Sequence, residues 1–241
     1  MTGKFFVIGV GPGDPELLTL RSIRLLKESS VLIVPKGKED GNSTALSIIE
    51  QIVPTDDKEI IEIYFPMKKI RMGQQPNAEV DAAWQSAARI IIEKVREGHT
   101  VSFPTIGDPA IYSTGFYTCQ TLLALDQEIP TSIVPGVSSI GACAATAGVP
   151  LCQGDDMMAV IPATFTNDKL TEVFNSFQTV VLMKVHRVMG RIITLLTELD
   201  LLEHAVLVER TAQNSERIFT DLKAAQQAEP HYFSTIIVRK R

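Results

Sequence analysis

Cysteine is scarce in this sequence, and what little there is excludes much. The 241 residues include three cysteines, Cys119, Cys143 and Cys152. The number is odd and no Cys-x-x-Cys occurs, so neither a disulfide framework nor a zinc site is expected, and a cytoplasmic, reducing setting is the natural one. The four histidines, His99, His186, His204 and His231, lack metal-ligand spacing, so no protein-bound metal is expected. No apolar run reaches the ~18 residues of a membrane span. Met1 to Lys4 leads straight into apolar residues with no basic segment and no small-residue cleavage site, so no signal peptide is expected. Basic residues are not in excess. The formal net charge is -5, which disfavours nucleic acid as a partner, because phosphate contacts need clustered Lys and Arg. There is no low-complexity linker and no repeat of fixed period.

What is present is a globular composition, 45% hydrophobic and 21% charged, enough for one large domain or two small ones. Short apolar, β-branched runs alternate with helical patterns. Phe5 to Val10, Val31 to Pro35, Ile60 to Ile63 and Thr100 to Phe103 read as strands, the third the weakest. The clearest helix is Pro76 to Glu97. Val80, Trp84, Ala87, Ala88, Ile91 and Val95 share one face. Its acids cluster at the start, its bases at the end, and Gly98 follows as a C-terminal stop. Further on, Ser132 to Val134, Met157 to Ile161, Thr179 to Met183, Ala205 to Val208, Arg217 to Thr220 and Tyr232 to Val238 read as strands. Ser138 to Ala147 and His186 to Leu199 read as helices. This rhythm predicts an α/β fold, mostly parallel in the first half, with antiparallel pairs in the last third. The domain boundary is expected near Tyr112 to Gly115, dividing the chain into 1–113 and 114–241.

Directly after the first strand stands Gly9-Val10-Gly11-Pro12-Gly13-Asp14-Pro15. Alternate glycines allow positive φ and close approach of a ligand. A dinucleotide site, and with it an NAD(P)-dependent oxidoreductase, is one reading. That fingerprint, however, needs Gly-x-Gly-x-x-Gly and an acid at the end of the second strand. Here the third glycine comes one residue early, Pro12 removes an amide donor, and the second strand ends Val34-Pro35-Lys36. The loop also reads as a strand-to-helix turn, with Asp14 or Thr19 as the cap and Pro15 in the first turn.

The whole segment Gly9 to Leu20 resembles the opening signature of the tetrapyrrole methylases, which include the uroporphyrinogen and precorrin methyltransferases. Further signatures follow in order: Gly107-Asp108-Pro109 with Ile111-Tyr112-Ser113-Thr114; Val134-Pro135-Gly136-Val137-Ser138-Ser139 with Ala147-Gly148-Val149-Pro150-Leu151; Leu182-Met183-Lys184; and Glu209-Arg210-Thr211. Within the family, Tyr64-Phe65-Pro66-Met67, Gly154-Asp155-Asp156 and Ile161-Pro162-Ala163 resemble members that methylate carbon-20 of precorrin-2 or cobalt-factor II in cobalamin biosynthesis. Members acting on other precorrin carbons or on uroporphyrinogen III are the nearest alternatives. Diphthine synthase and a related ribosomal-RNA methyltransferase are more distant ones.

The resemblance implies two αβα domains with a cleft between them, the N-terminal one on the tetrapyrrole side and the C-terminal one supplying most of an S-adenosylmethionine site. It also implies a homodimer. Carried over residue by residue, the cofactor contacts are Pro12, Ile106, Gly107, Asp108, Ile111, Ser138, Ser139, Met183, Thr211 and Ala212. Ile106 departs from the glycine that relatives often carry there. Met183 is as well explained by core filling as by adenine contact. Gly11, Gly13, Asp14 and Tyr112 are expected near the substrate. A polycarboxylate also needs cations, and two basic loops supply Lys36 and Lys38, and Lys68, Lys69 and Arg71. Single exposed lysines are more often solvated surface, so the pairing of the two loops carries this expectation. For a general base, position alone offers Tyr112, Asp108 and Glu209.

Overall fold

The apolar run ahead of the glycine loop forms strand β1 (Lys4–Gly9), which lies between two parallel neighbours in a five-stranded sheet. The computed structural model describes residues 3–68, 70 and 73–240. Its first compact unit runs to Ser138 and its second begins at Ser139. In the first unit β1 is followed by α1 (Leu20–Glu28), β2 (Val31–Lys36), α2 (Thr44–Ile49), β3 (Glu59–Tyr64), α3 (Ala78–Arg96), β4 (Thr100–Thr105), α4 (Thr114–Leu125) and β5 (Thr131–Val134). The strand order is β3-β2-β4-β1-β5, and every neighbouring pair is parallel.

Period-two alternation puts the strand side chains on two faces. Phe5, Val7, Ile33 and Phe103 pack with Trp84 and Ile91 of α3 and Leu122 of α4. Ile8, Leu32 and Val34 pack with Leu25 and Leu26 of α1 and Ile48 and Ile49 of α2. Each fully buried side chain of this size contributes about 1.5–3 kcal/mol of hydrophobic stabilisation. All six apolar residues expected on the face of α3 are buried. Asn77 caps that helix by accepting from the Glu79 N–H, and Gly98 follows it at φ 94°. β3 is half-exposed along its length at the sheet edge, which explains its weak apolar pattern.

The expected boundary near Tyr112 to Gly115 is corrected by these contacts. Residue 114 begins α4, which lies on the first sheet, and β5 pairs with β1, so the first unit reaches Ser138. Gly115 sits so close to the sheet that a Cβ there would come within 2.7 Å of Val7 Cγ1. A cut at 113/114 would remove a core helix and an edge strand.

The second unit comprises α5 (Ser139–Ala147), β6 (Met158–Pro162), α6 (Asn167–Ser176), β7 (Thr179–Met183), α7 (Met189–Glu198), β8 (Ala205–Glu209), β9 (Arg217–Phe219), α8 (Leu222–Gln227) and β10 (Ser234–Arg239). Its sheet order is β6-β7-β10-β8-β9. β6 and β7 are parallel, whereas β10 runs antiparallel to β7 and β8, and β8 antiparallel to β9. Leu170 and Phe174 of α6, Ile192 and Leu196 of α7 and Leu222 of α8 cover one face. α5 packs against β8 and β10.

Candidate functional site

In the first unit the site begins where two crossovers part. After β1 the chain passes to the α1 and α2 face, whereas after β4 it passes to the α3 and α4 face. β1 and β4 are neighbours, so this is a topological switch point, and ligands of open parallel sheets bind outside the carboxyl ends of strands at such a point. The loops after β1, β4 and β5 meet there by backbone. The Gly107 N–H donates to Gly11 O at 2.7 Å and the Val10 N–H to Thr105 O at 2.9 Å. A Cβ on Gly9 would lie 2.6 Å from Gly136 N and 2.7 Å from Gly107 O, and a Cβ on Gly136 would overlap Gly107 O. Glycine is therefore required at 9 and 136 for closeness of approach. Gly11, at φ 74°, needs it for conformation as well. Both expected caps operate. Asp14 accepts from the Glu16 N–H ahead of a short 3-10 turn that opens with Pro15, and Thr19 accepts from the Ser22 N–H at the start of α1.

Asp108 binds these loops together. Its Oδ1 accepts from the Ala110 N–H at 2.8 Å, and its Oδ2 accepts from the Gly136 N–H at 2.9 Å. Ile111 closes the same turn through an N–H bond to Asp108 O, and Ile106 packs onto the core below it. Ser113 caps α4 and exchanges a hydroxyl hydrogen bond with Thr105 at 3.1 Å, pinning both ends of the loop. Tyr112 stands in this loop at φ 51°, a left-handed conformation that a bulky residue adopts only when its surroundings impose it. Its ring is partly exposed, and burial of the phenol raises its pKa above the usual 10. At neutral pH it is a protonated phenol, suited to donating a hydrogen bond and unsuited to removing a proton.

The two basic loops lie side by side. Lys36 pairs in register with Tyr64, and the Phe65 N–H donates to Lys36 O. Lys36 also forms an ion pair with Glu62 at 3.1 Å, and Lys68 one with Glu79 at 2.6 Å. Lys38 lies in the exposed turn after β2. Lys69 and Arg71 fall outside the described residues. Phe65 is buried beneath this rim, whereas Tyr64 and Met67 are exposed on it.

In the second unit Met183, Thr211 and Ala212 come to one edge. Met183 ends β7 opposite Thr235, and Glu209 ends β8 opposite Ser234. Met183 is half-buried there and is not part of the buried core cluster. Arg210 and Ala212 both have positive φ, 50° and 57°. Thr211 is buried, and apart from the neighbouring Cys143 thiol its Oγ1 has no hydrogen-bond partner. A buried hydroxyl with only a thiol beside it keeps capacity to bond a ligand. The half-buried Met183 thioether, two strands away at the same end of the sheet, is a soft apolar surface. Burial pushes the Cys143 thiol up to about 11, so it is no nucleophile at neutral pH. Glu209 is almost wholly buried. It accepts from Arg217 at 2.8 and 3.0 Å and from the His231 N–H at 2.7 Å. It is a structural anchor.

Of the three candidates for a general base, Asp108 and Glu209 hold backbone amides and Arg217, and Tyr112 is a protonated phenol. Pro12, Ile106, Gly107, Asp108, Ile111 and Ser138 belong to the first unit, and Ser139, Met183, Thr211 and Ala212 to the second. Gly154 to Asp156 lie in a loop pinned to the end of β10, where Arg239 donates to Asp156 Oδ2 at 2.7 Å and to Pro150 O at 2.9 Å. Gly136, part of the Val134–Ser139 signature, takes its role from the bond to Asp108. Glu216, which accepts from the Ala212 N–H, belongs to no motif. Among the described residues no group of three or more His, Cys, Asp or Glu could hold a metal, and no helix is long and apolar enough to cross a membrane.

Residues 4–226 match the family of tetrapyrrole (corrin/porphyrin) methylases. The chain is 33% identical over 242 residues to the cobalt-precorrin-2 C(20)-methyltransferase of Salmonella typhimurium, covering 100% of this chain and 98% of that protein. It is 29% identical over 240 residues to the precorrin-2 C(20)-methyltransferase of a Sinorhizobium species, covering 98% and 95%. Among solved structures, the uroporphyrin-III C-methyltransferase of Thermus thermophilus complexed with S-adenosylhomocysteine superposes with a TM-score of 0.66 at 22% identity, covering 99% of this chain and 92% of that one. That likeness establishes the fold.

Proposed function

The chain belongs to the tetrapyrrole methylase family, and from that premise we propose that it transfers the methyl group of S-adenosylmethionine to carbon-20 of precorrin-2 or cobalt-factor II in cobalamin biosynthesis. The observation that carries the carbon-20 assignment is end-to-end similarity, at 33% identity, to a cobalt-precorrin-2 C(20)-methyltransferase. Residues 65–67, at the rim of the first sheet, supply the matching local signature.

When bound, the sulfonium would supply an activated methyl and a neutral leaving group; carbon-20 would gain the methyl as the sulfur–methyl bond breaks and would give up its own hydrogen as a proton. The protein's residues then orient, hold and exclude water, which supplies several kcal/mol of a barrier by positioning alone. In this reading the first unit takes the tetrapyrrole. Lys36, Lys38 and Lys68 meet its carboxylates, Tyr112 donates a hydrogen bond, and Gly11, Gly13 and Asp14 form the adjoining wall. The interlocked glycine loops fix Gly107, Asp108 and Ile111. The second unit supplies most of the cofactor contacts through Ser139, Met183, Thr211 and Ala212. No side chain of this chain is assigned as the base for carbon-20. The same reading makes the enzyme a cytoplasmic homodimer.

The test is turnover with S-adenosylmethionine and each substrate, metal-free precorrin-2 and cobalt-factor II, followed by mass spectrometry. Gain of one methyl on either is expected. Binding of S-adenosylhomocysteine without turnover of either would leave the family and remove the carbon-20 assignment.

A further inference from the structure

Behind the Thr211–Ala212 turn stands a carboxylate that no expected role accounts for. Glu216 is half-buried, and its Oε2 accepts from the Ala212 N–H at 2.6 Å and from the Thr146 hydroxyl at 3.2 Å. Thr146 sits near the end of α5, and Cys143 of the same helix lies beside Thr211 and Thr235. The turn itself is closed by the Gln213 N–H on Arg210 O and the Glu216 N–H on Gln213 O. Arg210 and Ala212 flank Thr211 in left-handed conformations without being glycine. Such backbone persists only where neighbours over-determine it. The Arg210 N–H is held by Phe233 O, and the Glu216 side chain holds the Ala212 end. A charged acceptor also makes a stronger bond to an amide than a neutral one.

We propose that Glu216 is a positioning residue for the cofactor. Its carboxylate ties the turn to α5 and so fixes where the Ala212 backbone and the buried Thr211 hydroxyl face the adenosyl group. The inference rests on the reading that Thr211 and Ala212 contact S-adenosylmethionine, and it adds a residue outside every signature of that site.

The test is calorimetric titration of S-adenosylhomocysteine into the intact chain, together with kinetics. Glu216→Ala is expected to weaken binding by about tenfold or more, the loss of one charge-assisted hydrogen bond. KM for the sulfonium donor should rise by a larger factor than kcat falls. Glu216→Gln, which keeps a carbonyl acceptor for the Ala212 N–H, should recover most of the affinity. If Glu216→Ala does not fold, Thr146→Val removes one of the two donors and should weaken binding by about threefold. Unchanged affinity in Glu216→Ala, or in Thr146→Val where the former does not fold, overturns the proposal. So does tighter binding, which would mean that the carboxylate competes with the ligand for the Ala212 N–H. Failure of the unaltered chain to bind S-adenosylhomocysteine overturns the cofactor reading itself, and this inference with it.

Discussion

The Gly136 N–H donates to Asp108 Oδ2 at 2.9 Å across 28 residues of sequence, tying the loop after β4 to the loop after β5. The same carboxylate accepts from the Ala110 N–H, so the Gly-Asp-Pro signature is first of all a clamp between strand ends. Replacing Asp108 by Ala should cost about 2–3 kcal/mol of stability through two lost charge-assisted bonds. It should also weaken S-adenosylhomocysteine binding. Asp108→Asn, which keeps one carbonyl acceptor, should lose about half as much. Urea unfolding and calorimetry on the two variants measure both.

Gly136 tests the close approach of the loops. A Cβ there overlaps Gly107 O and lies 2.9 Å from Gly9 Cα, all of it backbone that cannot swing away. Gly136→Ala should destabilise by about 2 kcal/mol or more, the cost of overpacking. Gly141, inside α5, would place its Cβ in open space, so Gly141→Ala should be neutral or stabilise by up to about 1 kcal/mol. Thermal unfolding of the pair gives the contrast directly.

Lys36 and Glu62 make opposite predictions about the substrate. Lys36 is the more buried member of their 3.1 Å pair. Lys36→Gln should raise KM for the tetrapyrrole by about tenfold and leave cofactor affinity unchanged. Glu62→Gln releases the ammonium from its partner and should lower that KM. A fall in KM for both variants would remove Lys36 from the substrate site.

Glu209 should behave as an anchor. Glu209→Gln leaves Arg217 with a neutral partner and weakens the hold on the His231 N–H, so it should cost about 3 kcal/mol of stability. Activity per folded molecule should keep its dependence on pH. A collapse of activity at unchanged stability would make Glu209 the base after all.

His186 gives a signature in acid. Its Nδ1 is buried without a hydrogen-bond partner, and its ring lies edge-on to Tyr232 at 5.3 Å. Burial lowers its pKa below the usual 6.5, helped by the nearby Arg187 and His231 charges. The unfolded chain therefore binds the proton more readily. The stability held by neutral His186 is full above about pH 6.5 and is lost as pH falls through the lower folded value. His186→Gln should flatten that part of the stability profile relative to the unaltered chain, as chemical denaturation at successive pH values would record.

Local chemistry was legible in the sequence wherever it was strongly periodic or stereochemically forced. The face of α3, from Val80 to Val95, could be written down residue by residue, because a 3.6-residue apolar stripe has one way to bury itself. Asp14 and Thr19 were alternatives for one cap and turned out to cap successive turns. What failed was non-local. The pairing of β5 with β1 leaves no local mark, so the unit boundary was placed a helix and a strand too early. α4 leaves no clear signal in the sequence, because apolar and small residues surround it and no polar face announces a helix. The same limit applies at the site. Signatures located Asp108, Gly136 and Thr211, whereas the contact between Asp108 and Gly136, and the partner Glu216, appear only with the loops in place.

The most direct measurement is transfer from S-adenosylmethionine carrying a carbon-13 methyl, with the product examined by carbon NMR. The account predicts one labelled methyl bonded to carbon-20 of the macrocycle. Label on a different ring carbon, or no label on either precorrin-2 or cobalt-factor II by an enzyme that binds S-adenosylhomocysteine, would contradict it.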